Sequence, residues 1–372
     1  MALQFTDGFD EYTAVGDLYQ RRWVNSAPTA EVEFSSSLGR YGGGCITLLD
    51  AATTGWLRRQ ILPEADASAS NTMCVAFAFK TAAATTPSAV NVLGGIYTFD
   101  RGNDTPGGTN FAGFTMYINT DGTFGMGYYG DNTPSVAHST STSVCDTNWH
   151  WIEIAVKNAN SGGIVSVYLD GVQEINFSGD TFVSSGSATD PVNGIVFEAN
   201  STQDTTYYID DIICYDDETA VTTGDLTYTA SYPIGDSRIE TIVPNGAGTN
   251  SGWTASAGVN YTCVDESPHT NDTDYVSSTA AAQTDTYAFG NLAGTISTCH
   301  AVHVNTYLKA DGPGTADVKA VALSSGSTTE GATITARTAY RLDQTNIPLD
   351  PNTSSAWTTA GINAAEFGVD SQ

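Results

Sequence analysis

Nowhere in the 372 residues does an apolar stripe recur at i, i+3, i+4 and i+7 over three helical turns. A helix needs that stripe to bury one face, so the core of this chain has to be built from strands. Period-two segments are present instead. MCVAFAFKT, from Met73, sets Val75, Phe77 and Phe79 on one face and Cys74, Ala76 and Ala78 on the other. Both faces are apolar, which marks a strand inside a sandwich rather than on its skin. HWIEIAVKN (His150–Asn158) alternates Ile152, Ile154 and Val156 with Trp151, Glu153, Ala155 and Lys157. The first three are expected to face the core, and Glu153, like Glu174 further on, is read as solvent-facing.

Turn signals separate these strands at close spacing. Asn119-Thr120-Asp121-Gly122 and Asp170-Gly171 read as hairpin turns, because both central residues of a type I′ turn need positive φ. Tyr12–Trp23 is the best place for a short helix. CITLL from Cys45, a weakly alternating WLRRQIL from Trp56, GIVFEA and TYYIDDIICYDD supply further strands. DDETAVTTG is polar and reads as a linker. Beyond it, TDTYAFGNL, TISTCHAVHVNTYLKAD, VKAVALSSG, ATITARTAYRL and WTTAGINAAEFGV read as a second strand set. The expectation is an all-β chain: a jelly roll over 1–217, a linker over 218–224, and a smaller β-sandwich over 225–372.

Charge narrows the partners. Lys and Arg number 13 against 41 Asp and Glu, a formal net charge of −28. Such a chain repels phosphate backbones and anionic membrane surfaces, so neither nucleic acid nor membrane is an expected partner. The start, MALQFTDGFDEY, shows no basic stretch followed by an apolar one, and no apolar run reaches the roughly 20 residues of a membrane helix. The expectation is a protein made in a cytosol without a cleaved leader. The cysteines Cys45, Cys74, Cys145, Cys214, Cys263 and Cys299 contain no CxxC pair. Small buried hydrophobes fit them better than bridges, although an even number permits bridges.

The string HWIEIAVKN…GGIVSVYLDGVQEINFSG…GIVFEAN…YYIDDIICYDD resembles the later strands of concanavalin A-like, laminin-G-like jelly rolls. The motif residues are Trp149 or Trp151, Val167–Gly171 and Ile209–Ile212. The whole chain is also similar to virion-associated structural proteins of tailed bacteriophages. That likeness is carried by F-x-D-G-F-D-x-Y (Phe5–Tyr12), G-D-x-R-I (Gly235–Ile239), the acidic segment Val264–Val276 and the closing Trp357–Val369. The resemblance implies a virion structural protein on the tail or its fibres, assembled in the host cytoplasm. Its implied partners are other virion proteins, further copies of itself in a homo-oligomer, and a host-surface glycan. A capsid decoration or cement protein is the first alternative and a polysaccharide-active enzyme the second.

Candidate sites are few. The E-x-D-x-x-E pattern of lectin-fold hydrolases is absent, and no G-x-S-x-G elbow is present, so the chain is expected not to be an enzyme. Cys299-His300-Ala301-Val302-His303 is the sole Cys/His cluster. Read as a strand, it sets Cys299 and His303 about 13 Å apart, too far for one zinc ion. Tyr128 and Tyr129, between Gly127 and Gly130, offer aromatic faces on which a sugar ring could stack. Asp100 and Asp104, in DRGNDTPGGT, offer oxygen ligands for calcium. An ordinary solvated loop is the plainer reading of that segment, and no other cofactor is expected.

Overall fold

The computed structural model describes residues 2–21, 23–25, 31–50, 54–61, 72–97, 113–130, 133–181, 192–200, 203–216, 221–223, 226–228, 232–267, 269, 271–312 and 316–372. The chain forms two compact units. One comprises Gln4–Glu218 with Ser231–Ile239; the other comprises Met1–Leu3, Thr219–Ala230 and Glu240–Gln372.

The first unit is a jelly-roll sandwich. Its strands run β1 (Ala2–Asp7), β2 (Val24–Asn25), β3 (Val32–Ser35), β4 (Cys45–Leu48) and β5 (Gly55–Gln60). Next come β6 (Met73–Thr81), β7 (Asn91–Tyr97), β8 (Gly113–Ile118), β9 (Thr123–Gly130) and β10 (Thr133–Ser143). The series closes with β11 (His150–Lys157), β12 (Gly163–Leu169), β13 (Val172–Gly179), β14 (Gly194–Ala199) and β15 (Tyr207–Asp216). One sheet has the order β13-β12-β11-β6-β15-β4-β3, with β1 also on β15; the other has the order β10-β9-β8-β7-β14-β5-β2. Between them lies one core, in which Val75, Phe77, Phe79, Ile152, Ile154 and Val156 meet Phe114, Met116, Phe124 and Phe197. The alternation of MCVAFAFKT and HWIEIAVKN therefore aims the expected side chains inward.

Local chemistry fixes the ends of these strands. Asp170 and Gly171 take φ of 50° and 81°, as the β12–β13 hairpin requires. Gly122 has φ 81° in the β8–β9 hairpin, where Asn119 N–H donates to Thr123 O at 2.9 Å. The expected short helix is Val15–Arg21; ahead of it the Asp17 carboxylate accepts from Thr13 N–H and Ala14 N–H at 2.9 and 3.1 Å. Within Phe5–Tyr12, Asp7 is a buried tie. Its carboxylate accepts from Phe9 N–H, the Tyr12 hydroxyl and the Trp23 indole at 2.8–3.0 Å.

Two sequence expectations change here. Glu153 does not face solvent: it is fully buried, because residues 232–239 lie across the outer face of the first sheet. Ile234 and Gly235 donate their N–H groups to its carboxylate at 2.7 and 3.0 Å. The sequence reading places this segment in the second half of the chain, but its bonds are to the jelly roll. Glu174 does not simply point into water either. It ties β13 to β10 by accepting from Ser141 N–H, the Ser141 hydroxyl and the Thr142 hydroxyl at 2.5–2.7 Å. Those bonds hold its carboxyl below the usual range.

The second unit is a smaller sandwich. Its main antiparallel sheet orders the strands Pro244–Ser251, Gln283–Phe289, Glu366–Ser371, Asp317–Ser324 and Ser327–Thr335. A separate ladder pairs Val302–Leu308 with Arg341–Ile347. Val304, Ala320, Ala322, Ile347, Trp357 and Phe367 form the core. Cys299 and His300 precede the Val302–Leu308 strand rather than lying on it. Thr359–Ala364, expected as strand, is a short helix, because the Thr358 hydroxyl caps it by accepting from Gly361 N–H at 3.0 Å. All six cysteines are thiols, five of them buried.

Candidate functional site

Tyr128 and Tyr129 lie in β9, and their side chains fall outside the described residues. Asp100 and Asp104 also lie outside the described residues. Among the described residues no group of three His, Cys, Asp or Glu side chains is placed to hold a metal ion.

A different set of residues comes together on the outer face of the second sheet, within the jelly-roll unit. In β5, β14, β7 and β8 the core takes Leu57, Phe197, Ile96 and Met116. Strand alternation sends their neighbours Trp56 and Arg58, Val196 and Glu198, Tyr97, Thr115 and Tyr117 to the opposite face. Register then fixes who meets whom. Glu198 is opposite Trp56, and Val196 is opposite Arg58.

Glycines shape this face. A Cβ on Gly113 would overlap the Tyr97 ring, and one on Gly95 would come within 2.6 Å of the same tyrosine's hydroxyl. A Cβ on Gly125 would overlap the Tyr117 ring. Both rings therefore lie along the sheet over glycine backbone, and a larger residue would lift them. The Arg58 guanidinium stacks on the Trp56 indole, 4.3 Å from the ring centroid.

Glu198 is the anomaly. It is partly buried, and among the described residues no hydrogen bond or ion pair reaches its carboxyl. Burial alone pushes it up to about 7. A carboxyl desolvated without a partner is costly to the fold, and such groups concentrate at sites of function.

A second polar concentration lies at one end of the same unit. A cavity of about 390 Å³ is lined by Asp10, Asp210, Asp211, Tyr41, Arg238 and neighbouring backbone. Its carboxylates already serve the protein. Asp10 accepts from Gly44 N–H at 2.9 Å, Asp210 from Arg40 N–H at 2.7 Å, and Asp211 from Ile239 N–H at 2.8 Å. Asp211 sits at φ 51° in a bulge of β15. Burial pushes both Asp210 and Asp211 upward, and their adjacency adds to the shift at Asp211.

That shift has a definite sign. The folded pair keeps protons that the unfolded chain has released above the ordinary carboxylate range, near 4. Its contribution is therefore best at low pH and is lost as pH rises through the raised values. Asp211→Asn is expected to flatten the fall in melting temperature between about pH 5 and pH 8, since asparagine keeps the acceptor and tolerates positive φ. Equal slopes for the two proteins in a pH series of thermal melts would contradict this.

No protein-family model matches the chain, and no curated protein matches it. Solved structures similar to it include the endo-β-1,4-glucuronan lyase of the fungus Trichoderma reesei. That match has 12% identity and a TM-score of 0.42, covering 57% of this chain and 95% of the lyase. A conserved carbohydrate esterase of the Shiga toxin-encoding bacteriophage phi24B is 17% identical with a TM-score of 0.40, over 57% of this chain and 97% of that one. The carbohydrate recognition domain of Emp46p is 11% identical with a TM-score of 0.38, over 56% and 94%. No functional residue is carried over from them. They do correct one expectation, that the chain is not an enzyme: polysaccharide lyases and a carbohydrate esterase are among its structural neighbours. A missing E-x-D-x-x-E motif sets aside one hydrolase chemistry, not every action on polysaccharide.

Proposed function

We propose that the chain is a glycan-contacting component of a tailed-phage particle, with the outer face of the second sheet as the contact. The observation that carries the glycan part is the partnerless Glu198 opposite Trp56, with the buried Arg58 stacked on that indole and Tyr97 further along the same sheet face. A pyranose ring has apolar C–H faces that stack on an indole and a rim of hydroxyls that need polar partners. Apolar aromatic surface with a few placed polar groups is the usual make-up of a small-molecule site. The particle part is supported by the order of the short motifs from Phe5–Tyr12 to Trp357–Val369. On this reading the chain sits on the tail or its fibres, contacts other virion proteins and works as a homo-oligomer.

Presenting the purified chain to an array of hexopyranose oligosaccharides tests the glycan part. Binding is expected, and Trp56→Ala should weaken it about tenfold or more, the usual cost of truncating a central aromatic anchor. No bound glycan, or equal binding by Trp56→Ala, would remove the proposal. Release of reducing ends from a bound polysaccharide would add catalysis to the same face. Particle association without glycan binding would point to a decoration or cement role instead.

A further inference from the structure

We infer that Glu198 is a hydrogen-bond donor to the bound glycan: its neutral carboxyl, opposite Trp56, donates to an oxygen of the hexopyranose stacked on that indole, so that capture is lost in alkaline medium. This rests on the proposed glycan face and adds to it the group that makes capture depend on pH.

The surroundings leave the carboxyl few alternatives. Across on β5 stand Trp56 and, one outward position along, Arg58, whose guanidinium lies over the indole. On β7 the titratable outward group is Tyr97, held along the sheet by Gly95 and Gly113. Its own strand adds only Val196, which is buried. No charged group contributes to the behaviour of Glu198; desolvation alone does. Desolvation raises the carboxyl to about 7, so it keeps its proton to a higher pH than an ordinary carboxyl does. A protonated carboxyl has one O–H to give, and no described residue takes it. Packing does not explain the residue, since a leucine would fill the position without the desolvation cost. It remains partly exposed, so an incoming oxygen can reach it.

The test uses the full chain and two readouts. In the first, the side-chain carboxyl of Glu198 is followed by carbon NMR during a pH titration without ligand. A midpoint near neutrality is expected, and one in the ordinary carboxylate range overturns the inference. In the second, affinity for the best-bound hexopyranose oligosaccharide of the array is measured across the same range. The native chain should lose about tenfold in affinity for each pH unit above the titration point. Glu198→Gln keeps an N–H donor in nearly the same shape, so its profile should be flat. Glu198→Leu should melt at a higher temperature than the native chain and bind weakly at every pH, which separates a donor from a structural residue. A Glu198→Gln profile as steep as the native one overturns the inference while leaving the glycan face standing. Absence of hexopyranose binding at every pH overturns both.

Discussion

Ile154→Asp is expected to leave the jelly-roll unit unfolded. Ile154 is the central inward residue of β11, fully buried, between Val167 of β12 and Val75 of β6. Its neighbours in the core are apolar side chains of both sheets, none of which can pair with a carboxylate. Burying an unpaired carboxyl there, and losing the isoleucine's own packing, costs about 4 kcal/mol or more. That is a large part of the roughly 5–15 kcal/mol that holds an ordinary domain together. Loss of the cooperative thermal transition of this unit, with loss of near-UV circular dichroism, is the expected reading. A soluble variant that still melts cooperatively near the native temperature would show that β11 does not face the core. Ile154→Val is the control, since it removes one methylene and should cost only about 1 kcal/mol.

That prediction could be written from the sequence because β11 reports its own environment: each inward position is β-branched and apolar, and the turn at Asp170-Gly171 fixes the register of the next strand. Outward positions are a different matter. Alternation says which side chains leave the core, but not whether another part of the chain covers them. Glu153 and Glu198 are both outward, both partly or wholly buried, and bound quite differently. For Glu153 the cover comes from residues about eighty positions away, and no local pattern announces it. Glu198 did leave a trace: a single acid within GIVFEA, otherwise apolar from end to end. The sequence points to Tyr128 and Tyr129 as a sugar platform because paired aromatics beside glycines are conspicuous, and their side chains lie outside the described residues. Trp56 carries no such signal, because Arg58 and Arg59 blur the alternation of its strand; Arg59 lies with its guanidinium 5.3 Å from the Phe5 ring. Asp7 of Phe5–Tyr12 and Asp210 of the jelly-roll motif Ile209–Ile212 hold backbone and side-chain donors, which accounts for their residue types.

A chain ending at residue 217 is expected to be markedly less stable than one ending at residue 239, although both contain every strand of the jelly roll. Residues 232–239 make no strand pairing with the sheet beneath them, and polar anchors hold them instead. Near one end, Ile234 and Gly235 donate to Glu153, and the Tyr232 hydroxyl donates to Ser166 O at 3.1 Å. In the middle, Arg40 donates to the Asp236 carboxylate at 2.6 Å and to Ser237 O at 3.2 Å. At the other end Ile239 N–H donates to Asp211. The Tyr232 ring also packs edge-on against Tyr168, with centroids 5.4 Å apart. Hydrogen bonds to charged groups contribute about 1.5–3 kcal/mol each where they are shielded from water. Exposing Glu153 to solvent returns part of that, because the carboxylate regains hydration. The net loss should therefore be on the order of 3 kcal/mol rather than the sum of the bonds. For a unit of this size that lowers the melting temperature by roughly 6–12 °C. Polypeptides 1–217 and 1–239, melted side by side, give the comparison. Equal melting temperatures would mean that the segment rests on the sheet without supporting it.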